Sequence, residues 1–156
     1  MTDTSPAVTD RDVYITRAFA APRDVVWRFF TEPELISRWF GPRDFRVPAE
    51  TVKVEPEVGG AYALTMVGIE DGELAPMAGI ITAFDPPEYL EVRLGAHSRD
   101  VDLDNVVLRI RFADHGDRTR VTLHQGPFDA VDRDLTAEGW EQSFEGIDAI
   151  LEGAGR

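Results

Sequence analysis

Apolar and polar residues alternate from Val13 to Ala20, with Val13, Ile15 and Phe19 on one side and Tyr14 and Thr16 on the other. A period of two over this length predicts a strand with one buried face. The period then lengthens. Pro22 suits a first helical position with Asp24 in the first turn, and Val25, Val26, Phe29 and Phe30 give a short helix an apolar side, to which Trp27 adds bulk. Thr31 and Glu34 read as a capping box for a second short helix carrying Leu35, Ile36, Trp39 and Phe40, closed by Gly41-Pro42.

From Phe45 onward the pattern is strands and turns. Strands are predicted over 50–54, 61–67, 77–84, 89–94, 106–112 and 119–124. The breaks between them are Glu57-Val58-Gly59-Gly60, Glu70-Asp71-Gly72-Glu73, Asp85-Pro86-Pro87-Glu88, a polar loop over 95–104 and His115-Gly116-Asp117-Arg118. The strand from Val106 to Phe112 is the clearest, with Val106, Leu108, Ile110 and Phe112 on one face; Val121 and Leu123 point inward from the next. Gly126-Pro127 ends the series.

The last stretch, Thr136 to Leu151, returns to helical spacing. Trp140, Phe144, Ile147 and Leu151 form one stripe, while Glu138, Glu141, Gln142, Glu145, Asp148 and Glu152 fall on the other faces. Thr136 is the expected N-cap and Gly153 the expected stop. Short connections imply antiparallel neighbours. The expectation is an α+β domain over residues 12–153, after a disordered tail of residues 1–11: a sheet of six or seven strands, two short helices and one long helix on a single face. Two short helices cannot cover such a sheet, so a gap is expected between the sheet and the long helix.

Composition narrows the function classes. A net charge of −13, with Lys53 the single lysine, argues against nucleic acid and against an anionic membrane surface. No apolar run approaches the roughly 18 residues of a membrane span, and the acidic start has no signal-peptide core. The absence of cysteine removes disulfides, thiolate nucleophiles and Cys-ligated zinc. A cytoplasmic protein is the expectation.

No catalytic set is legible. His97, His115 and His124 show no metal-ligand spacing, and only His124 is placed near the gap. Asp100, Asp102 and Asp104 open like a calcium loop, but Asn105 stands where glycine is needed and Arg111 where glutamate is, so a solvated acidic loop is the better account. Gly59-Gly60 precedes a strand rather than following one, and the serines lack a nucleophile-elbow context. Arg109 and Arg111 lie opposite Leu108 and Ile110, which suggests an exposed face with acidic cross-strand neighbours; Arg93 also lies on a strand. The aromatic and methionine set is more informative. Trp39, Phe40, Tyr62, Met66, Met77, Trp140 and Phe144 could converge, either as plain core or as the wall of a cavity. Gly139, inside the long helix, costs about 1 kcal/mol against alanine and suggests close approach of another backbone or room kept for something.

Four stretches resemble a known family: RAFAAPRDVVWRFFTEPELISRWFGP (17–42), VEPEVGGAYALTM (54–66), GIITAFDPPEYLEVR (79–93) and EGWEQSFEGIDAILE (138–152). They are similar to the START-related helix-grip (SRPBCC) superfamily, and more narrowly to the branch named after the activator of heat shock protein 90 ATPase. The resemblance implies a curved antiparallel sheet gripping the C-terminal helix around an internal cavity. It also implies a small hydrophobic molecule, such as a lipid, as ligand. The expected contacts are Trp39, Phe40, Tyr62, Met66, Met77, Trp140 and Phe144, with His124 as polar partner and no cofactor or metal. Two alternatives come with the family: a polyketide cyclase-like enzyme, and a co-chaperone-type interaction module. The second is disfavoured by the lack of the separate N-terminal domain such co-chaperones bring. A homodimer is left open.

Overall fold

The structure, a computed structural model, describes residues 7–95, 97–98, 101–102 and 106–154. The first strand, β1 (Val13–Phe19), alternates as its sequence predicts, with Val13 and Phe19 buried and Tyr14 exposed. Ahead of it, the expected tail is held at its inner end. Asp12 N–H bonds to the Thr9 carbonyl, and Arg11 exchanges bonds with Phe128, its Nε–H donating to the Phe128 carbonyl and its own carbonyl accepting the Phe128 N–H. Residues 1–6 of that tail lie outside the described residues.

Two short helices follow, α1 (Arg23–Thr31) and α2 (Pro33–Trp39). Pro22 is the N-cap of α1 rather than its first residue. The capping box expected at Thr31 and Glu34 does not form. Thr31 closes α1, its hydroxyl donating back to the Trp27 carbonyl at 3.1 Å, and Glu32 is the N-cap of α2. Pro33 is the physical reason. Its ring favours the first helical position and pushes the residue before it into extended backbone, so the boundary falls at Glu32.

The alternation over 50–54 resolves into two elements, a single 3₁₀ turn (Ala49–Thr51) and β3 (Lys53–Val54), after β2 (Phe45–Arg46). Between β2 and β3 the Thr51 hydroxyl accepts the Thr65 N–H at 3.2 Å, so a side chain partners the edge where neither strand reaches. The remaining strands are β4 (Ala61–Gly68), β5 (Leu74–Asp85), β6 (Tyr89–Leu94), β9 (Val107–His115) and β10 (Arg118–Gly126). The loop expected over 95–104, with the Asp100 and Asp104 positions, lies partly outside the described residues; within it, β7 (His97–Ser98) pairs antiparallel with β8 (Val101–Asp102). The chain ends in α3 (Ala130–Ala154).

The main sheet runs β1-β10-β9-β6-β5-β4-β2, with β3 also on β4, and every pairing is antiparallel. It curls as a half-barrel against α3, the α+β helix-grip arrangement. Helix α3 begins six residues before Thr136, because Asp129 caps it: its carboxylate accepts the Asp132 N–H at 2.8 Å. At the other end the helix continues through Gly153 to Ala154. The predicted stripe is buried at Trp140, Phe144 and Ile147 and half-buried at Leu151. Phe19 of β1 meets Phe144 edge-on, with ring centroids 5.5 Å apart, and Arg17 of the same strand bonds Asp148 at 2.6 Å. Strand one and the closing helix are thereby joined.

Candidate binding site between the sheet and the closing helix

The aromatic residues singled out by spacing meet at the end of the fold where α2 reaches α3. Trp39 contacts Phe40 (5.3 Å between centroids) and Trp140 (6.5 Å); Phe40 and Trp140 meet edge-on at 5.3 Å, and Trp140 is 5.7 Å from Phe144. Phe30 of α1 extends the set to Phe112 on β9. Beneath them Tyr62 and Met77 belong to the same buried cluster, with Met66 packed against it. Cross-strand pairing places Leu64 opposite Met77 and Met66 opposite Ala75. The rings lie within ordinary edge and tilted contact distance of one another on the side of the sheet that faces the helix.

The local chain explains this convergence. The C-terminal end of α2 and the turn after it lie on a face of α3 made of Gly139, Ser143 and Gly146. A methyl group at Gly146 would stand 3.4 Å from the Trp39 carbonyl oxygen, and one at Gly139 would stand 3.4 Å from Pro42 Cγ. The Ser143 hydroxyl accepts the Gly41 N–H at 3.0 Å and donates to the Gly139 carbonyl at 2.9 Å. Arg43 adds a bond from its N–H to Gln142 and an ion pair to Glu145 at 2.7 Å. Gly41 itself takes φ of +104°, a conformation that favours glycine, and its turn carries Phe40 back over Trp140. The close backbone approach suggested by Gly139 therefore belongs to Gly146, one heptad on.

Two of the proposed wall residues use their polar atoms structurally. The last carbonyls of a helix lack partners within it. Trp39 Nε1–H donates to the Phe29 carbonyl at 2.8 Å, and the Tyr62 hydroxyl donates to the Phe30 carbonyl at 2.6 Å, so both satisfy the end of α1. Complete burial drives the Tyr62 hydroxyl pKa well above its usual value, so it remains a donor. These two side chains offer the interior only ring surface.

The structure moves His124 away from this set. β10 sends Val121, Leu123 and Gln125 to the concave face, so His124 points to the opposite one, beside Tyr14. There its Nε2 lies 2.9 Å from Asp12 Oδ2, with both side chains more than nine-tenths buried. An ionised carboxylate only accepts, so Nε2 carries the proton. Burial works against the Asp12 charge, but the bonds from His124 and from the Thr9 N–H outweigh it and hold the carboxyl below its usual range. Glu91 on the same outer face is likewise held low. Its desolvation is outweighed by bonds from Tyr89 and Thr82, with Arg109 and Arg111 adding to them. The pairing of Arg109 with Glu91, at 3.6 Å, is the acidic cross-strand neighbour that the strand pattern predicts.

Gln125 stands where His124 is expected. It lies between Val13 and Leu108 in the sheet and is 2% exposed. Trp140 Nε1–H donates to it at 2.6 Å. Indole is a donor only, so the bonded atom is the amide oxygen and the amide nitrogen is turned elsewhere. That nitrogen has no hydrogen-bond partner among the described residues. Strand alternation carries the signal for Gln125, since it follows Val121 and Leu123 by the same period of two. Among the described residues no group of three or more histidines and carboxylates is placed to hold a metal ion, and no helix is long and apolar enough to cross a membrane.

Similar folds occur in solved bacterial structures. Protein CV1439 from Chromobacterium violaceum superposes with a TM-score of 0.79 at 22% identity, over 92% of this chain and 99% of that one. NE0264 from Nitrosomonas europaea gives 0.79 at 22%, over 96% and 99%. The AHSA1 protein SPO3351 from Silicibacter pomeroyi gives 0.78 at 22%, over 90% and 97%. No curated protein matches the chain. The sequence profile described as activator of Hsp90 ATPase homolog 1-like protein matches residues 20–152, nearly the whole described fold. The chain belongs to that family.

Proposed function

We propose that this protein binds a small, mainly apolar molecule between the sheet and α3, against the rings of Trp39, Phe40, Trp140 and Phe144 and the side chains of Tyr62, Met66 and Met77. The observation that carries the reading is the Gln125 amide. A buried donor left without a partner costs about 1–3 kcal/mol, so an acceptor is expected at that point. A carbonyl or hydroxyl oxygen on an otherwise apolar ligand supplies it. Apolar walls with one or two oriented polar groups are the usual make-up of such sites. His124, turned to the other sheet face, is left out.

The test is native mass spectrometry on protein purified gently from its own cells. A discrete added mass that organic extraction removes, and that is lost or strongly reduced in a folded Gln125→Leu variant, is the expected result. A clean apo mass for the wild type, or an adduct indifferent to Gln125, overturns the reading. Family membership supports a second one, a module that binds a chaperone, and a pull-down from the same extract tests it. An acid–base enzyme finds less support, because the buried Asp12–His124 pair faces away from the aromatic site.

A further inference from the structure

A separate surface cleft of about 600 Å³ opens between α1, α2 and the C-terminal turns of α3, sharing no residue with the aromatic site. Phe29, Leu35 and Ile150 give it an apolar lining, and Arg28 and Arg38 stand exposed at its edge. The volume suits a small organic ligand. The arginines are its unusual feature. In a chain of net charge −13, Arg17, Arg23, Arg43 and Arg109 all pair with carboxylates. Arg28 and Arg38 form no ion pair or side-chain hydrogen bond among the described residues. Glu32 lies one turn after Arg28 and Glu34 one turn before Arg38, yet neither carboxylate pairs with them. Two free guanidinium groups beside an apolar lining match a molecule with one anionic end. Guanidinium holds a carboxylate through two parallel bonds, whereas apolar burial holds the remainder without regard to its chemistry.

We propose that this cleft binds an amphipathic carboxylate, its apolar tail on Phe29, Leu35 and Ile150 and its carboxylate between Arg28 and Arg38. The site is independent of the one proposed for the interior. Calorimetric titration with decanoate, decanol and decyltrimethylammonium at low ionic strength tests it, all below their aggregation limits. Decanoate is expected to bind at least ten-fold more tightly than decanol, with the cation weakest. The double variant R28Q/R38Q should weaken decanoate ten-fold or more, keep its melting temperature and bind decanol as the wild type does. Decanoate binding should persist in Gln125→Leu. Absent binding, equal affinity for decanoate and decanol, or an affinity unchanged in R28Q/R38Q overturns the proposal. So does binding lost in Gln125→Leu but kept in R28Q/R38Q, which assigns decanoate to the aromatic site instead.

Discussion

Trp140 and Gln125 meet through one short hydrogen bond, and each depends on the other to bury a polar atom. Trp140→Phe keeps most of the ring but removes the donor, leaving the amide oxygen unpaired. A loss of about 1–2 kcal/mol is expected, measured by urea denaturation. Gln125→Leu strands the indole N–H by a similar amount, and the double variant should cost less than the sum of the two. Additive losses would mean that the bond contributes nothing of its own. Truncation to alanine is a blunter probe, since removing a buried tryptophan costs about 3–5 kcal/mol through the cavity it leaves.

The Asp12–His124 pair has a pH signature. The native Asp12 carboxyl sits below its unfolded value of about 4. A depressed carboxyl stabilises the fold fully above that value and loses its contribution as pH falls through the native one. Asp12→Asn imitates the protonated state. The urea midpoint of the wild type should therefore exceed that of Asp12→Asn near neutrality, with the gap closing below pH about 4. A gap constant from neutral pH to acid would sink the assignment. At this scale the sequence was legible through alternation but not through polarity. The same period that buries Leu123 buries Gln125 and turns His124 outward, whatever chemistry each side chain could offer. What closes over His124, the turn at Thr9–Asp12, has no periodicity to betray it.

Among the elements, the strands were the most legible and the helix ends the least. β9 and β10 bury the residues their alternation marks, since one face of each meets the core. Helix α3 shows why an end is harder to read. Its first two turns carry Val131 and Leu135, both exposed, so the apolar stripe begins well inside the helix and marks where burial starts rather than where the helix does. Asp129 starts it from outside the stripe. The seat of α2 on α3 was half-legible: Gly139 drew attention by its cost to the helix, while Gly146 makes the closer approach to backbone. The two can be separated by substitution. Gly139→Ala places its methyl against the ring of Pro42 at ordinary contact distance and should stabilise by up to about 1 kcal/mol through helix propensity. Gly146→Val has branched methyls facing the Trp39 backbone and should lower stability by about 1–3 kcal/mol. Thermal melts of both variants decide it, and a stabilised Gly146→Val would remove that seat from the account.

For the whole molecule, the long strands, helix order and the single covered sheet face were legible, because each follows from patterning and short connections, whereas the two-residue strands β2, β7 and β8 are too short to show a period. The order of strands within the sheet was not legible either. Pairing between distant segments leaves no local mark, and the union of β1 with β10 joins residues such as Asp12 and His124, 112 positions apart. That union governs how the chain comes into being. A ribosome adding about 5–20 residues per second completes β1 roughly 5–20 s before its sheet neighbour β10 exists. The concave face waits longer still, for α3 follows every strand of the sheet. During synthesis the growing chain thus presents an unpaired edge and an uncovered apolar surface, and the domain can close only when its final helix has left the ribosome. Folding of this domain therefore waits for α3, which follows every strand of the sheet, rather than being spread along their synthesis.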